Sequence, residues 1–289
     1  MIPVTEFRPQ FLATQQTQAV PGKNGQYQLT LDEFPKPSNR YRVRVEAPGY
    51  RSAMCEQSFA AWDGEIKVDF ELEPAAMRMG HVLGTDGQPL AGASIVVGTP
   101  SVLPMMRDGA LEWGKDAKTT SDGSFELNAT FEPMRIRALH ATGIAEVLRQ
   151  PDDEIGTLRL QPWARLSGRL LQDGQPVPDQ MLIFDPSAVR GITEARLQDA
   201  YRAQTDPTGR FEFTRVPPGI GSVRAYLGPW QESPLTSSES VPVDLQPGEH
   251  QELVLGGNGV TVTGQVNATG RGDVELNKNW SLNYLIRRD

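Results

Sequence analysis

A chain of 289 residues is too long for one small sandwich and suits two or three ordinary domains. Its 28 basic and 36 acidic residues leave a net charge of −8, and no Lys/Arg block is present, which argues against a nucleic-acid backbone as partner. One cysteine, Cys55, excludes an internal disulfide and any Cys-rich zinc site, and three histidines leave little for metal or triad chemistry.

Glycine (28) and proline (23) are enriched, yet stay below the roughly 25–30% of low-complexity disorder, so many turns are expected. The opening MIPVTEFRPQ lacks the basic and apolar regions of a signal peptide. No stretch approaches the ~18 apolar residues of a membrane-spanning helix, so no membrane insertion is expected in this segment.

The chain repeats itself. An opening strand with a tight turn reads MRMGHVLGTDGQPL at 77–90 and ARLSGRLLQDGQPV at 164–177, and its first half returns as TVTGQV at 261–266. The anchoring residues are Gly80, Gly168 and Gly264, 88 and then 96 residues apart. A glycine turn leading into an alternating strand reads NGQYQLTL at 24–31, DGSFELNA at 122–129 and TGRFEFTR at 208–215.

A third strand follows: YRVRVEAPGY (41–50), MRIRALHATG (134–143) and SVRAYLGPW (222–230). Its period of two predicts Tyr41, Val43 and Val45 on a core face, with Arg42, Arg44 and Glu46 in solvent. KVDFELEPA (67–75), GTLRLQPWA (156–164) and QELVLGG (251–257) are expected to close the units. Such alternation, with turns every 8–15 residues, predicts an all-β chain of tandem antiparallel Ig-like or prealbumin-like sandwiches forming a short rod.

The expected units are 1–75, a module without its opening strand; 76–163 and 164–258, two whole modules; and 259–289, the start of a fourth. Uncovered edges in the outer two would invite aggregation, so the chain is expected to be a segment of a longer protein, with its other domains as partners.

The run Gly80, Asp86–Pro89, Asp122–Leu127 and Met134–Gly143 resembles the carboxypeptidase regulatory-like family. In the next unit the same resemblance rests on Gly168, Asp173–Val177, Gly209–Phe213 and Ser222–Gly228. It implies a transthyretin-like (prealbumin-like) sandwich, grouped with carbohydrate-binding-like folds. It further implies a non-catalytic accessory module of secreted or surface bacterial proteins, hence an extracytoplasmic setting. Fold alone transfers no binding.

No catalytic residue, metal ligand or cofactor is assigned. His81 stands where transthyretin-related hydroxyisourate hydrolases carry a catalytic histidine. The aligned positions in the other units are Arg169 and Gln265, and the hydrolase C-terminus is lacking, so an exposed strand residue is expected. The turns TDG (85–87), SDG (121–123) and TDPTG (205–209) give one carboxylate each, without the spacing of a calcium loop. Cys55 has no histidine close by in sequence, and a lone buried or semi-buried thiol is expected.

Carbohydrate binding is the competing reading, possible at the insertion 98–119 with Trp113, Met105 and Met106, and at Trp230. Met105, Met106, Leu111 and Trp113 would equally serve as a cap on a sandwich end, and Trp163 is expected to pack between modules. The matching insertion at 185–204 holds ITEARLQDAYRA, read as weakly helical. Arg42, Arg44, Arg135, Arg137 and Arg224 recur on one strand, where cross-strand ion pairs are expected over a polyanion stripe. The tripeptide Arg271–Asp273 and the sequons at Asn128, Asn267 and Asn279 carry no assignment.

Overall fold

The structure, a computed structural model, describes residues 4–6, 14–15, 20–21, 27–28, 41–60, 63–186, 195–227, 236–238 and 240–257. All regular elements among them are strands. Trp62, Trp230, Trp280 and the whole of 259–289 lie outside the described residues.

The first stretch carries β1 (Val4–Glu6), β2 (Thr14–Gln15), β3 (Val20–Pro21), β4 (Tyr27–Gln28), β5 (Tyr41–Val45) and β6 (Ala53–Met54). The middle of the chain holds β7 (Arg78–Leu83), β8 (Ser94–Gly98), β9 (Met105–Arg107), β10 (Ala110–Trp113) and β11 (Asp116–Lys118). It continues with β12 (Ser124–Leu127), β13 (Met134–His140), β14 (Gly143–Arg149) and β15 (Gly156–Arg159). The last stretch holds β16 (Ala164–Gln172), β17 (Gln175–Pro176), β18 (Met181–Pro186), β19 (Gln198–Gln204) and β20 (Arg210–Val216). β21 (Gly219–Leu227), β22 (Thr236–Ser237), β23 (Val241–Leu245) and β24 (His250–Gly257) complete it.

Two sandwiches of like topology follow one another. In the middle sandwich the order β12-β7-β15 lies over β11-β8-β13-β14, and Val82, Ile95, Phe125, Ile136 and Leu158 fill the space between. In the next, β20 and β24 flank β16, while the opposing sheet runs β19-β18-β21-β23; Leu166, Leu182, Phe184, Phe211 and Leu255 are buried in it. Each opening strand is paired antiparallel with the glycine-turn strand and parallel with the closing strand, β7 with β15 and β16 with β24.

The repeated glycines have a packing reason. Gly80 lies opposite Phe125, and a Cβ on it would sit 2.3 Å from the Phe125 ring. Gly168 lies opposite Phe211, and a Cβ there would come 1.9 Å from the Leu253 carbonyl oxygen. The phenylalanine of each turn motif thus lies across the bare backbone of the opening strand, and only glycine admits it.

Two expectations are corrected. Residues 67–73 form no strand: Val68, Phe70 and Leu72 still alternate with exposed Lys67, Asp69 and Glu71, and Val68 and Phe70 pack on Val43 and Phe59. The other closing strands pair with an opening strand, whereas among the described residues the alternation at 67–73 is kept by packing rather than by a ladder. Of ITEARLQDAYRA, read as weakly helical, residues 192–194 lie outside the described residues, and from Gln198 onward the chain is instead β19. Tyr201 is buried there against Phe184, and pairing to β18 outweighs the helix propensity of Ala, Arg, Leu and Gln.

Gly168→Ala is expected to destabilise the chain by about 2–3 kcal/mol through overpacking, read as a lower urea midpoint.

Candidate functional site

The arginine strand expected to face solvent does so only at some positions. Arg42 is exposed, but Arg44 and Arg137 are buried, at 2% and 5% exposure. The correction has a simple cause: each outward face is covered by the part of the chain that follows it.

Arg137 lies on β13 directly opposite Glu146 on β14, and Nε donates to that carboxylate at 2.8 Å. Its Nη1 donates to Asp199 of β19 at 2.5 Å, across to the next sandwich, where the Asp199 side chain is 4% exposed. Beside it Arg135 donates from Nε to the Ala195 carbonyl at 2.8 Å and pairs with Glu146 at 2.6 Å. Burial alone would lower the Arg137 pKa, but the Asp199 and Glu146 carboxylates hold it above the ordinary value. Burial pushes Asp199 up, and Arg137 pulls it back only in part. Glu146, more open to solvent, is raised by burial but brought net below the carboxylate range by Arg137 and Arg135.

An apolar cluster surrounds this ion group: Val96, Met106, Leu139, Ile144, Trp163 and Leu197, with Leu111 against it. Trp163 donates from Nε1 to the His140 carbonyl at 2.8 Å, which satisfies its one polar atom inside the cluster. Backbones also meet. A Cβ on Gly98 would lie 2.0 Å from the Arg196 carbonyl oxygen.

Strand pairing completes the junction. β9 runs parallel to β19, with Met105, Met106 and Arg107 opposite Gln198, Asp199 and Ala200. The β9–β10 hairpin turns on Asp108 and Gly109, both at positive φ (50° and 75°), the geometry that favours Asp-Gly. The Asp108 N–H donates to the Ala200 carbonyl at 2.9 Å, and its Oδ1 accepts from the Arg202 N–H at 2.8 Å. A hairpin from the insertion of one sandwich therefore extends the sheet of the next into a seven-stranded unit.

Arg44 occupies the same repeat position as Arg137 and makes an analogous contact. Its Nη1 pairs with Glu46 at 2.7 Å, and its Nε lies 3.7 Å from Glu132 of the middle sandwich. Ser52 reinforces this dock: its N–H donates to the Ala129 carbonyl at 3.0 Å and its hydroxyl to Thr130 at 3.1 Å. Arg224, the third copy, pairs with Asp185 of its own sheet at 2.7 Å and remains 31% exposed.

The residues singled out for binding do not stay together. Met106 is buried in the junction core, and Met105 is half-buried on the strand beside it. Trp113, at the far end of the hairpin, lines a cleft of about 320 Å³. The cleft's apolar floor includes Ile95, Val97, Leu127 and Met134, and Arg44, Glu46 and Asn128 also line it. Sequence reasoning reached Trp113 but missed Arg44, Glu46 and Asn128. No local signal links them to Trp113, since the cleft forms only where the 41–46 strand meets the middle sandwich.

The other candidates are engaged locally. His81 is exposed on β7 opposite Ser124. The Cys55 thiol accepts from the Val43 N–H at 3.0 Å beside a small apolar cluster. Asp122 Oδ1 accepts from the Ser124 N–H at 3.0 Å and from the Thr120 and Ser124 hydroxyls; Asp206 Oδ1 accepts from Thr208 and Arg210 N–H at 2.8 and 2.9 Å. These carboxylates complete their own turns.

No protein-family model matches the chain, and no curated protein matches it. Among solved structures it is similar to a candidate carbohydrate binding protein, PA1324, of Pseudomonas aeruginosa: 16% identity, TM-score 0.25, covering 33% of this chain and 89% of that one. It is also similar to GBS52, the minor pilin of Streptococcus agalactiae, at 12% identity and TM-score 0.32, covering 66% of this chain and 100% of that one. The Bacillus anthracis TIE protein matches at 13% identity and TM-score 0.26 over 88% of this chain, which corresponds to 47% of that protein's length.

Arg137→Ala should destabilise the chain by about 3–5 kcal/mol, because Asp199 stays buried without its counter-charge. Asp199→Ala should cost less, since Arg137 keeps Glu146, and the double variant should cost less than the sum in a denaturation cycle. The turn carboxylates predict a pH dependence. Asp122 and Asp206 are held below their ordinary values, by the Thr120 and Thr208 hydroxyls first, so their contribution is present above about pH 4 and lost as pH falls. Asp122→Asn should flatten the stability profile between about pH 4 and pH 2.

Proposed function

We propose that the chain is a non-catalytic structural segment, built of carboxypeptidase regulatory-like sandwiches, that spaces or presents other domains of a longer extracytoplasmic bacterial protein. The observation that carries this reading is the parallel pairing of β9 with β19, by which one repeat lends a strand to the sheet of the next. A linker alone, such as the QPWA stretch at 161–164, would leave two sandwiches free to swing. The shared strand, the Arg137–Asp199 pair and the Trp163 cluster instead hold them by three kinds of contact at once. Modules bounded at 76–163 and 164–258 would then act as a single stiff unit, useful for holding attached domains at a fixed separation.

The reading predicts a narrow distance distribution between spin labels at the exposed positions Thr157 and Thr214, in a Cys55→Ser background. Met106→Pro removes a backbone donor from the shared strand and should broaden it. A broad distribution in the unaltered pairing would overturn the proposal of a stiff spacer.

A further inference from the structure

The cleft beside Trp113 takes no part in the Arg137–Asp199 pairing, and its chemistry is specific. We propose that it binds a neutral N-acetylated amino sugar.

At about 320 Å³ the cleft stands at the small end of ligand pockets, with room for one substituted ring rather than an extended polymer. Its wall offers the half-buried Trp113 indole, the kind of flat apolar surface on which the C–H face of a pyranose packs. The floor of Ile95, Val97, Leu127 and Met134 suits a small apolar group such as a methyl.

Two polar atoms narrow the ligand further. Asn128 Oδ1 is buried with no hydrogen-bond partner, and so is Arg44 Nε, whose side chain is 3% exposed. Both residues line the cleft. One supplies an acceptor and the other a donor, and buried polar groups in folded proteins are normally satisfied. An acetamido group carries the complementary pair, one N–H and one C=O, with a methyl beside them.

The charge balance favours a neutral ligand. Arg44 is already matched by Glu46 at 2.7 Å and has Glu132 at 3.7 Å, so its guanidinium offers a hydrogen bond without an uncompensated positive charge. Because Arg44 and Glu46 come from the first stretch of the chain and Trp113 from the insertion hairpin, a sugar here would bridge both.

The test is titration of the full chain with N-acetylglucosamine, glucose and N-acetylalanine methylamide, followed by tryptophan fluorescence and calorimetry. Saturable binding of N-acetylglucosamine is expected, at least about tenfold tighter than glucose. Trp113→Ala should weaken it by about tenfold or more. Since losing Trp113 also removes a wall of the cleft, Asn128→Ala is the companion variant: it should weaken N-acetylglucosamine by about tenfold and so abolish its advantage over glucose. No saturation by N-acetylglucosamine, equal affinity for glucose, or binding indifferent to both variants would overturn the proposal. Equal binding of the methylamide would assign the cleft to peptide amides instead and equally overturn it.

Discussion

The architecture turns on one desolvated cation. Arg137 sits on a strand face that a single sandwich would leave in water, and a buried guanidinium is tolerable only when paired and hydrogen-bonded. Glu146 lies directly across the sheet and supplies half of that pairing; Asp199, from the next sandwich, supplies the rest. The pair does not itself drive association, because desolvation offsets much of its Coulombic gain. Its effect is on specificity. With Val96, Leu139, Trp163 and Leu197 burying apolar surface around it, any other seating of the second sandwich would strand a charge inside that cluster.

Once that face is internal, the insertion at 98–119 has a structural reason to exist. β19 is the last strand of its sheet, and an unpaired edge offers its N–H and C=O groups to any passing strand. The β9–β10 hairpin covers that edge, with Asp108 capping backbone groups on both sides of Tyr201. Met106 serves the junction core, and Trp113, beyond the turn, is left for the cleft. One short insertion thus protects an edge, fills a core and walls a pocket.

What was legible in the sequence was whatever local chemistry decides. Gly80 and Phe125, or Gly168 and Phe211, advertise themselves because a turn and a period-two strand lie within a few residues of each other. In MRIRALH the period of two sets Arg137 on the face opposite the buried Ile136 and Ala138. It could not tell that this face is itself buried, because Asp199 is 62 residues away in sequence. The same limit explains β19. ITEARLQDAYRA has fair helix propensity, and only the burial of Tyr201 against Phe184, with pairing to β18 and β9, makes its part from Gln198 onward a strand. Residues 67–73 show the converse: their alternation is genuine, but a ladder needs a partner that alternation does not provide.

Arg44, Arg137 and Arg224 share one repeat position, and comparing them separates what the repeat fixes from what it leaves free. Each has a carboxylate from its own module close by: Glu46, Glu146 and Asp185. That near partner neutralises the guanidinium at short range and keeps an isolated module from exposing a strong positive stripe. The second carboxylate comes from wherever the following module presents one, a loop at Glu132 or an edge strand at Asp199. The socket is repeated and the plug is not. Arg224, paired with Asp185 and still open to solvent, has the first half of the arrangement. A strand that repeats only its cation and its near counter-ion can couple to neighbours of differing shape, which is what modules with unequal insertions require.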